Sequence, residues 1–73
     1  VNLVFEDGSV TIARMIEVSA KGARIESPEE LEVDQNFTLN RGRRSTHVAV
    51  RHCSRQGELY IVGVEYMRQT VSV

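Results

Sequence analysis

The residues best suited to catalysis or metal binding are one cysteine and two histidines, and their spacing is unfavourable for both. Cys53 directly follows His52, and adjacent residues of an extended strand point to opposite faces. A nucleophile needs an adjacent base that a third group orients, so the pattern predicts that Cys53 is a structural or surface thiol. His47 and His52 would also point to opposite faces of an unbroken strand. Because paired short zinc-ligand spacings are missing as well, we interpret the chain as a binding domain that is not an enzyme, without metal or cofactor.

A second set of polar residues surrounds an early bend, in the segment Glu17-Val18-Ser19-Ala20-Lys21-Gly22. Glu17 and Ser19 fall on the same side of a strand end, where they offer acceptors and a hydroxyl donor. Gly22 permits positive φ and a close approach of the backbone to a neighbour. Two interpretations stay open at this point. These residues contact a ligand, or Ser19 and Gly22 simply build a turn, as such residues commonly do.

The bulk composition indicates one small domain over residues 1–73, with a net charge of −1. That charge gives no general argument for binding nucleic acid or a membrane surface. No apolar run approaches the roughly 20 residues that cross a bilayer, no signal peptide is apparent, and a single cysteine excludes an internal disulfide. We therefore expect a cytoplasmic location. Because the first residue is Val1 rather than Met, we interpret the chain as a fragment of a longer protein.

Charged residues are segregated along the chain into an acidic and a basic stretch. Two solvated loops would explain this pattern, and so would one polar surface directed at an anion. The acidic members are Glu26, Glu29, Glu30, Glu32 and Asp34, and the basic members are Arg41, Arg43, Arg44, Arg51 and Arg55.

Strand patterns dominate the elements that must position these residues. Alternating or apolar segments are separated by turn residues such as Asp7-Gly8, a strong hairpin signal. In the second segment the alternation places Val10, Ile12 and Ile16 on the buried face. The tail 67–73 is too short and too β-branched to predict a helix. About six strands at this spacing favour a six-stranded antiparallel sandwich or barrel, and they cover residues 3–5, 10–17, 23–26, 36–40, 46–52 and 59–66.

Two of these segments resemble the PilZ domain, a small bacterial signalling β-barrel whose members mostly receive cyclic di-GMP. The family carries Asp/Asn-x-Ser-x-x-Gly between its second and third strands, often continued by Gly-Ala-Arg and an apolar residue. This chain matches at Ser19 and Gly22, continues as Ala23-Arg24-Ile25, and departs at Glu17. Further on, Gly63-Val64-Glu65-Tyr66 is similar to the end of the family's last barrel strand. The resemblance extends over most of residues 1–67 and implies a six-stranded PilZ-like barrel whose C-terminal helix is short or missing.

The resemblance also implies a ligand and a site. Glu17, Ser19, Gly22 and Arg24 would form the barrel side of a nucleotide-binding site for cyclic di-GMP. In the family, an Arg-x-x-x-Arg motif before the first strand clamps phosphates and guanine edges, as guanidinium forks are suited to do. The chain given contains no such motif there, so we expect weak or absent binding of cyclic di-GMP by this chain alone.

Three functions follow as hypotheses. The first is a regulatory module of the cyclic di-GMP receptor class, in which an upstream linker closes over the ligand and signals to an attached domain. The second is a degenerate PilZ-like adaptor that binds a protein partner through the basic region 41–55 or the apolar tail. A small RNA-binding barrel is third, and we do not favour it, because such proteins stack bases on exposed aromatic residues. The sequence leaves the oligomeric state open.

Overall fold

The computed structural model describes residues 1–67, which form one antiparallel sheet of seven strands. The strands are β1 (Asn2–Val4), β2 (Val10–Ile12), β3 (Arg14–Val18), β4 (Gly22–Ser27), β5 (Asn36–Arg41), β6 (Arg44–Gln56) and β7 (Leu59–Tyr66). The expected all-β class is confirmed. Residues 1–67 contain no helix, and hence none long and apolar enough to cross a membrane. The expectations for a C-terminal helix and for the tail concern residues 68–73, which lie outside the described part.

The prediction of a six-stranded closed barrel is wrong, because the sheet has seven strands and two edges. Its strand order is β2-β1-β5-β6-β7-β4-β3, and no ladder joins β2 to β3. The single strand expected over residues 10–17 changes partner at Ala13. Before that residue it pairs with β1, and after it Arg14 lies opposite Glu26 of β4. Since only Ala13 separates the two edges, the sheet must curl until they approach each other there.

Both halves of the curled sheet contribute to one hydrophobic core. The loop 28–35 also adds a side chain, Leu31, which is 5% exposed. Full burial of a Val, Leu, Ile or Phe side chain contributes about 1.5–3 kcal/mol, so this shared core is the main stabilising feature. Its buried members are Leu3, Ala13, Ile25, Leu31, Phe37, Leu39, Val48, Val50, Val62 and Val64.

The buried face of β2 is the opposite of the one that the sequence pattern predicted. Thr11 and Ala13 are buried, whereas Val10 and Ile12 are 55% and 76% exposed. Thr11 lies opposite the fully buried Leu3 of β1, so this pairing decides which face of β2 meets the core. The cost of burying the Thr11 hydroxyl is offset because it donates to Glu29 Oε2 at 3.0 Å.

The hairpin predicted at Asp7-Gly8 is present, with a loop one residue longer than the shortest type. The Phe5 N–H donates to the Ser9 carbonyl, and Gly8 adopts a φ of 89°. A glycine at the left-handed position is typical of three-residue hairpin loops. Asp7 Oδ1 accepts hydrogen bonds from the Ser9 hydroxyl at 2.6 Å and from the Ser9 N–H at 2.8 Å. The hydroxyl bond is the main reason that the pKa of Asp7 lies below its ordinary value.

The Asp7–Ser9 contact predicts a pH-dependent contribution to stability. Ionised Asp7 stabilises the folded state above its unfolded-state pKa, and this contribution is lost as the pH falls through the lowered folded-state pKa. In Ser9→Ala we expect the Asp7 pKa to rise toward its ordinary value in an NMR titration of the carboxyl carbon. Ser45→Ala is the control, because that hydroxyl donates to Asn40 Oδ1 instead of a carboxylate. An unchanged Asp7 titration in Ser9→Ala would contradict this account.

Candidate functional site

The four residues suggested by the PilZ resemblance lie together around a surface depression of about 330 Å³. Glu17 of β3 lies opposite Arg24 of β4, and Arg24 lies opposite Gly63 of β7. Ser19 lies in the turn that joins β3 to β4, Gly22 begins β4 directly after that turn, and both also line the depression. The sheet thus gathers Glu17, Ser19, Gly22 and Arg24 on its outer face.

A bulge in β3 gives Glu17 its outward position. The β3–β4 register shifts between Met15 and Glu17, which makes Ile16 an extra residue. With that residue inserted, Arg14 and Glu17 both face outward although they are three positions apart. Without the bulge, Glu17 would share the core-facing side with Met15.

Gly22 is required by close packing and not by a positive φ, which only Gly8, Gly42 and Gly57 have among the described glycines. A Cβ atom on Gly22 would lie 2.0 Å from the Val64 carbonyl oxygen, far inside van der Waals contact. The Tyr66 N–H also donates to the Lys21 carbonyl at 2.8 Å, which holds β7 against this turn. The expected close approach of the backbone is therefore present.

Ser19 stabilises the turn between β3 and β4 through hydrogen bonds. Its backbone N–H and its hydroxyl both donate to the Gly22 carbonyl, at 2.8 and 3.2 Å. The turn-building interpretation of this pair therefore holds. The hydroxyl oxygen keeps its lone pairs, so Ser19 can still accept a hydrogen bond from a ligand in the depression.

Arg51 also lines the depression, although the sequence analysis did not place it in the site. It occupies a second bulge, where the β6–β7 register shifts between Val50 and His52. Arg51 Nη1 lies 2.9 Å from Asp34 Oδ1, and Nη2 lies 3.7 Å from Glu65 Oε1. The spacing of residues in the sequence does not predict where a bulge occurs. Only the pairing of β6 with β7 brings Arg51 beside Glu65.

The electrostatic field of the depression is weak, because two of its three cations, Arg24 and Arg51, are paired with carboxylates. Lys21, Arg24 and Arg51 line it together with Glu17 and Glu65, so the charges nearly cancel. Arg24 Nη1 lies 3.6 Å from Glu17 Oε2, and both side chains are more than half exposed. Exposed pairs of this kind contribute at most about 1 kcal/mol, so a competing anion can displace them.

The basic stretch 41–55 does not form one surface. Arg41, Arg43 and Arg44 surround the β5–β6 turn, whereas Arg55 lies near the β6–β7 turn and donates to the Gly57 carbonyl. Arg55 follows Arg44 by eleven positions of extended strand, a distance of about 36 Å at 3.3 Å per residue. The interpretation as a single anion-directed surface is wrong, and separate solvated segments explain the pattern.

None of the cysteine and two histidines lines the depression, although His52 lies opposite Gly63 at its border. Cys53 is half-buried and packs against the core, while His52 beside it is exposed. The expectation that His47 and His52 point to opposite faces applies to an unbroken strand, and the bulge at Arg51 places both on the outer face instead. His47 is exposed, with Nδ1 3.2 Å from Thr38 Oγ1. Within residues 1–67, no three His, Cys, Asp or Glu side chains are grouped closely enough to hold a metal ion.

Gly22 and Gly63 both line the depression, but we expect an added methyl group to lower the stability of the protein strongly only at Gly22. In Gly22→Ala the new Cβ would collide with backbone, so we expect a loss of about 3 kcal/mol in the free energy of unfolding. Gly63→Ala is the matched control, because its Cβ would lie at an ordinary 3.6 Å from His52 Cβ. We expect it to change stability by less than about 1 kcal/mol. Urea denaturation measures both, and equal stabilities of the two variants would contradict the close approach.

Comparison with protein-family models, curated proteins and solved structures finds no match to this chain. The likeness to PilZ domains therefore rests on the motif residues themselves, around Ser19 and Gly22 and again at Gly63 to Tyr66.

Proposed function

We propose that this chain is a PilZ-like regulatory binding module of the cyclic di-GMP receptor class, with weak affinity of its own for the nucleotide. The observation that supports this most is the assembly of Glu17, Ser19, Gly22 and Arg24 around one depression. These four residues are the ones that the PilZ resemblance singles out.

The chemistry of the depression suits a ligand with phosphates and planar bases. Gly63 carries no side chain, and only His52 Cβ lies within 4 Å of where its Cβ would be, so a flat group can approach the sheet closely there. Arg24 and Arg51 both border this surface. Guanidinium groups pair with phosphate oxygens and with the O6/N7 edge of guanine through two parallel hydrogen bonds.

Weak affinity follows from the contacts that a ligand must replace. Arg24 is paired with Glu17, and Arg51 is paired with Asp34 and Glu65. The carboxylate of Glu17 also repels a phosphate. Compared with the Asp or Asn of the family motif, its side chain is one methylene longer, and a displacement of about 1 Å is enough to weaken a tightly specified polar contact.

Replacing Glu17 tests this proposal. In Glu17→Asn the motif residue is restored and Arg24 loses its carboxylate partner, so we expect cyclic di-GMP to bind at least about fivefold more tightly. Glu26→Gln is the matched control. It removes one negative charge and releases Arg14 from a similar outward pair at 3.9 Å, but it lies outside the depression. The readout is an NMR titration that follows the amides of Ser19, Gly22 and Gly63.

Two outcomes would overturn the proposal in different ways. A dissociation constant at or below about 1 μM for the unsubstituted chain would contradict the weak affinity. If neither the chain nor Glu17→Asn shows saturable shifts of these amides up to about 1 mM nucleotide, the receptor class is wrong.

A second candidate function, a protein-interaction adaptor, is favoured by the exposed edge strands. Among residues 1–67, β2 pairs only with β1 and β3 pairs only with β4, so within this part of the chain each strand has one unpaired side. The edge also exposes β-branched side chains at Val10, Ile12, Ile16 and Val18. Exposed apolar edges are surfaces to which partner strands add.

The adaptor function predicts that Ile12→Lys abolishes capture of the partner protein from a lysate of the source cells. A lysine on an edge strand blocks strand addition, and Ile12 is 76% exposed, so folding should be unaffected. Val33→Lys is the control, since Val33 is 58% exposed but lies in the loop 28–35. A partner retained by Ile12→Lys would exclude this edge as its binding surface.

A further inference from the structure

A second cavity, of about 330 Å³, lies between the β5–β6 turn and the end of β3. Its apolar wall includes Met15, Leu39 and Tyr66, all of which belong to or pack against the core. Two guanidinium side chains, Arg41 and Arg44, also line it, as do Val18, Ser19, Ala20 and Thr46. The cavity thus combines an apolar wall with two like charges.

The strand alternation explains why two arginines border an apolar cavity. Arg41 follows the buried Leu39 by two residues, and Arg44 precedes Thr46, the partner of Leu39, by two residues. Both therefore stand on the core-facing side of this hairpin. They also lie directly opposite each other in the β5–β6 ladder, next to a turn closed by Gly42 at a φ of 60°.

These two arginines differ from the three that carry ion pairs. Arg14, Arg24 and Arg51 each lie within 3.9 Å of a carboxylate. Among the ion pairs of residues 1–67, none includes Arg41 or Arg44. Like charges directly opposite on neighbouring strands destabilise a sheet. A bound anion would relieve that repulsion.

We propose that this cavity binds a small amphipathic anion. Arg41 and Arg44 hold its carboxylate or phosphate, while its apolar part lies against Met15, Leu39 and Tyr66. The volume is near the lower end of the range of about 300–1,000 Å³ for small-molecule sites. The proposal goes beyond the cyclic di-GMP function, because it concerns the core-facing side of the sheet instead of the outer depression.

Octanoate is the probe, with 1-octanol as its uncharged counterpart and inorganic phosphate as an anion without a tail. In an NMR titration we expect octanoate to shift the amides of Leu39, Thr46 and Tyr66 saturably. We expect octanol and phosphate each to bind at least about tenfold more weakly than octanoate, because octanol lacks the negative charge and phosphate lacks the apolar tail.

Three single substitutions at or beside the β5–β6 turn measure the contribution of each arginine to octanoate binding. Arg41→Gln and Arg44→Gln should each weaken octanoate binding about tenfold, since each removes a charge-assisted hydrogen bond. Arg43→Gln changes the net charge equally but lies outside the cavity lining, and it should bind within about twofold of the unsubstituted chain. Without ligand, Arg44→Gln should raise the melting temperature because it removes the like-charge pair.

The proposal is overturned if octanol or phosphate binds as tightly as octanoate, or if Arg43→Gln weakens binding as much as Arg41→Gln and Arg44→Gln do. It is also overturned if octanoate causes no saturable shift up to about 10 mM. Should a glutamine variant fail to fold, Arg41→Lys and Arg44→Lys replace it, because loss of the bidentate guanidinium alone should still weaken binding. The cyclic di-GMP titration remains distinguishable from these outcomes. Ser19 lines both cavities, but Gly22 and Gly63 line the outer depression and not this cavity.

Discussion

The backbone of β7 passes so close to Gly22 that no side chain fits there, and the geometry of the outer depression depends on this contact. A Cβ atom on Gly22 would meet the Val64 carbonyl oxygen at 2.0 Å. Gly22 also begins β4 and lies opposite Glu65, so the contact sets the register of β4 against β7. From that register follow the position of Arg24 opposite Gly63 and, one strand further, that of Glu17 opposite Arg24.

Charge pairing divides the arginines of the described residues into two kinds. On the outer face, Arg24 and Arg51 are held by Glu17, Asp34 and Glu65, which weakens the local field but keeps the guanidinium groups in place. At the β5–β6 turn, Arg41 and Arg44 face each other without an ion pair of that kind. The same residue type thus has different charged neighbours on the two sides of one sheet, carboxylates on the outer face and a second guanidinium at the β5–β6 turn.

Much of the fold could be predicted from residue patterns, because strand alternation and turn residues act locally. The Asp7-Gly8 hairpin and the strands predicted over 23–26, 36–40, 46–52 and 59–66 all agree with the structure. The buried face of β2 could not be predicted in this way. Val10 and Ile12 are the more apolar choice, yet Thr11 is buried because it pairs with Leu3 and its hydroxyl reaches Glu29. A long-range pairing and one hydrogen bond therefore outweighed local hydrophobicity.

The sequence by itself determined the strand-forming character of the chain and the motif from Glu17 to Arg24, since both depend on residue types at short spacing. Only the tertiary structure decided the partner switch at Ala13, the bulges at Ile16 and Arg51, and thereby which charges meet. A bulge adds one residue to one strand only, so it shows itself solely in the register against a neighbouring strand. Strand pairing of this kind brings together residues that are distant in the chain. That is why Arg51 joined the site of Glu17 and Arg24, and why Arg41 and Arg44 came to border a cavity.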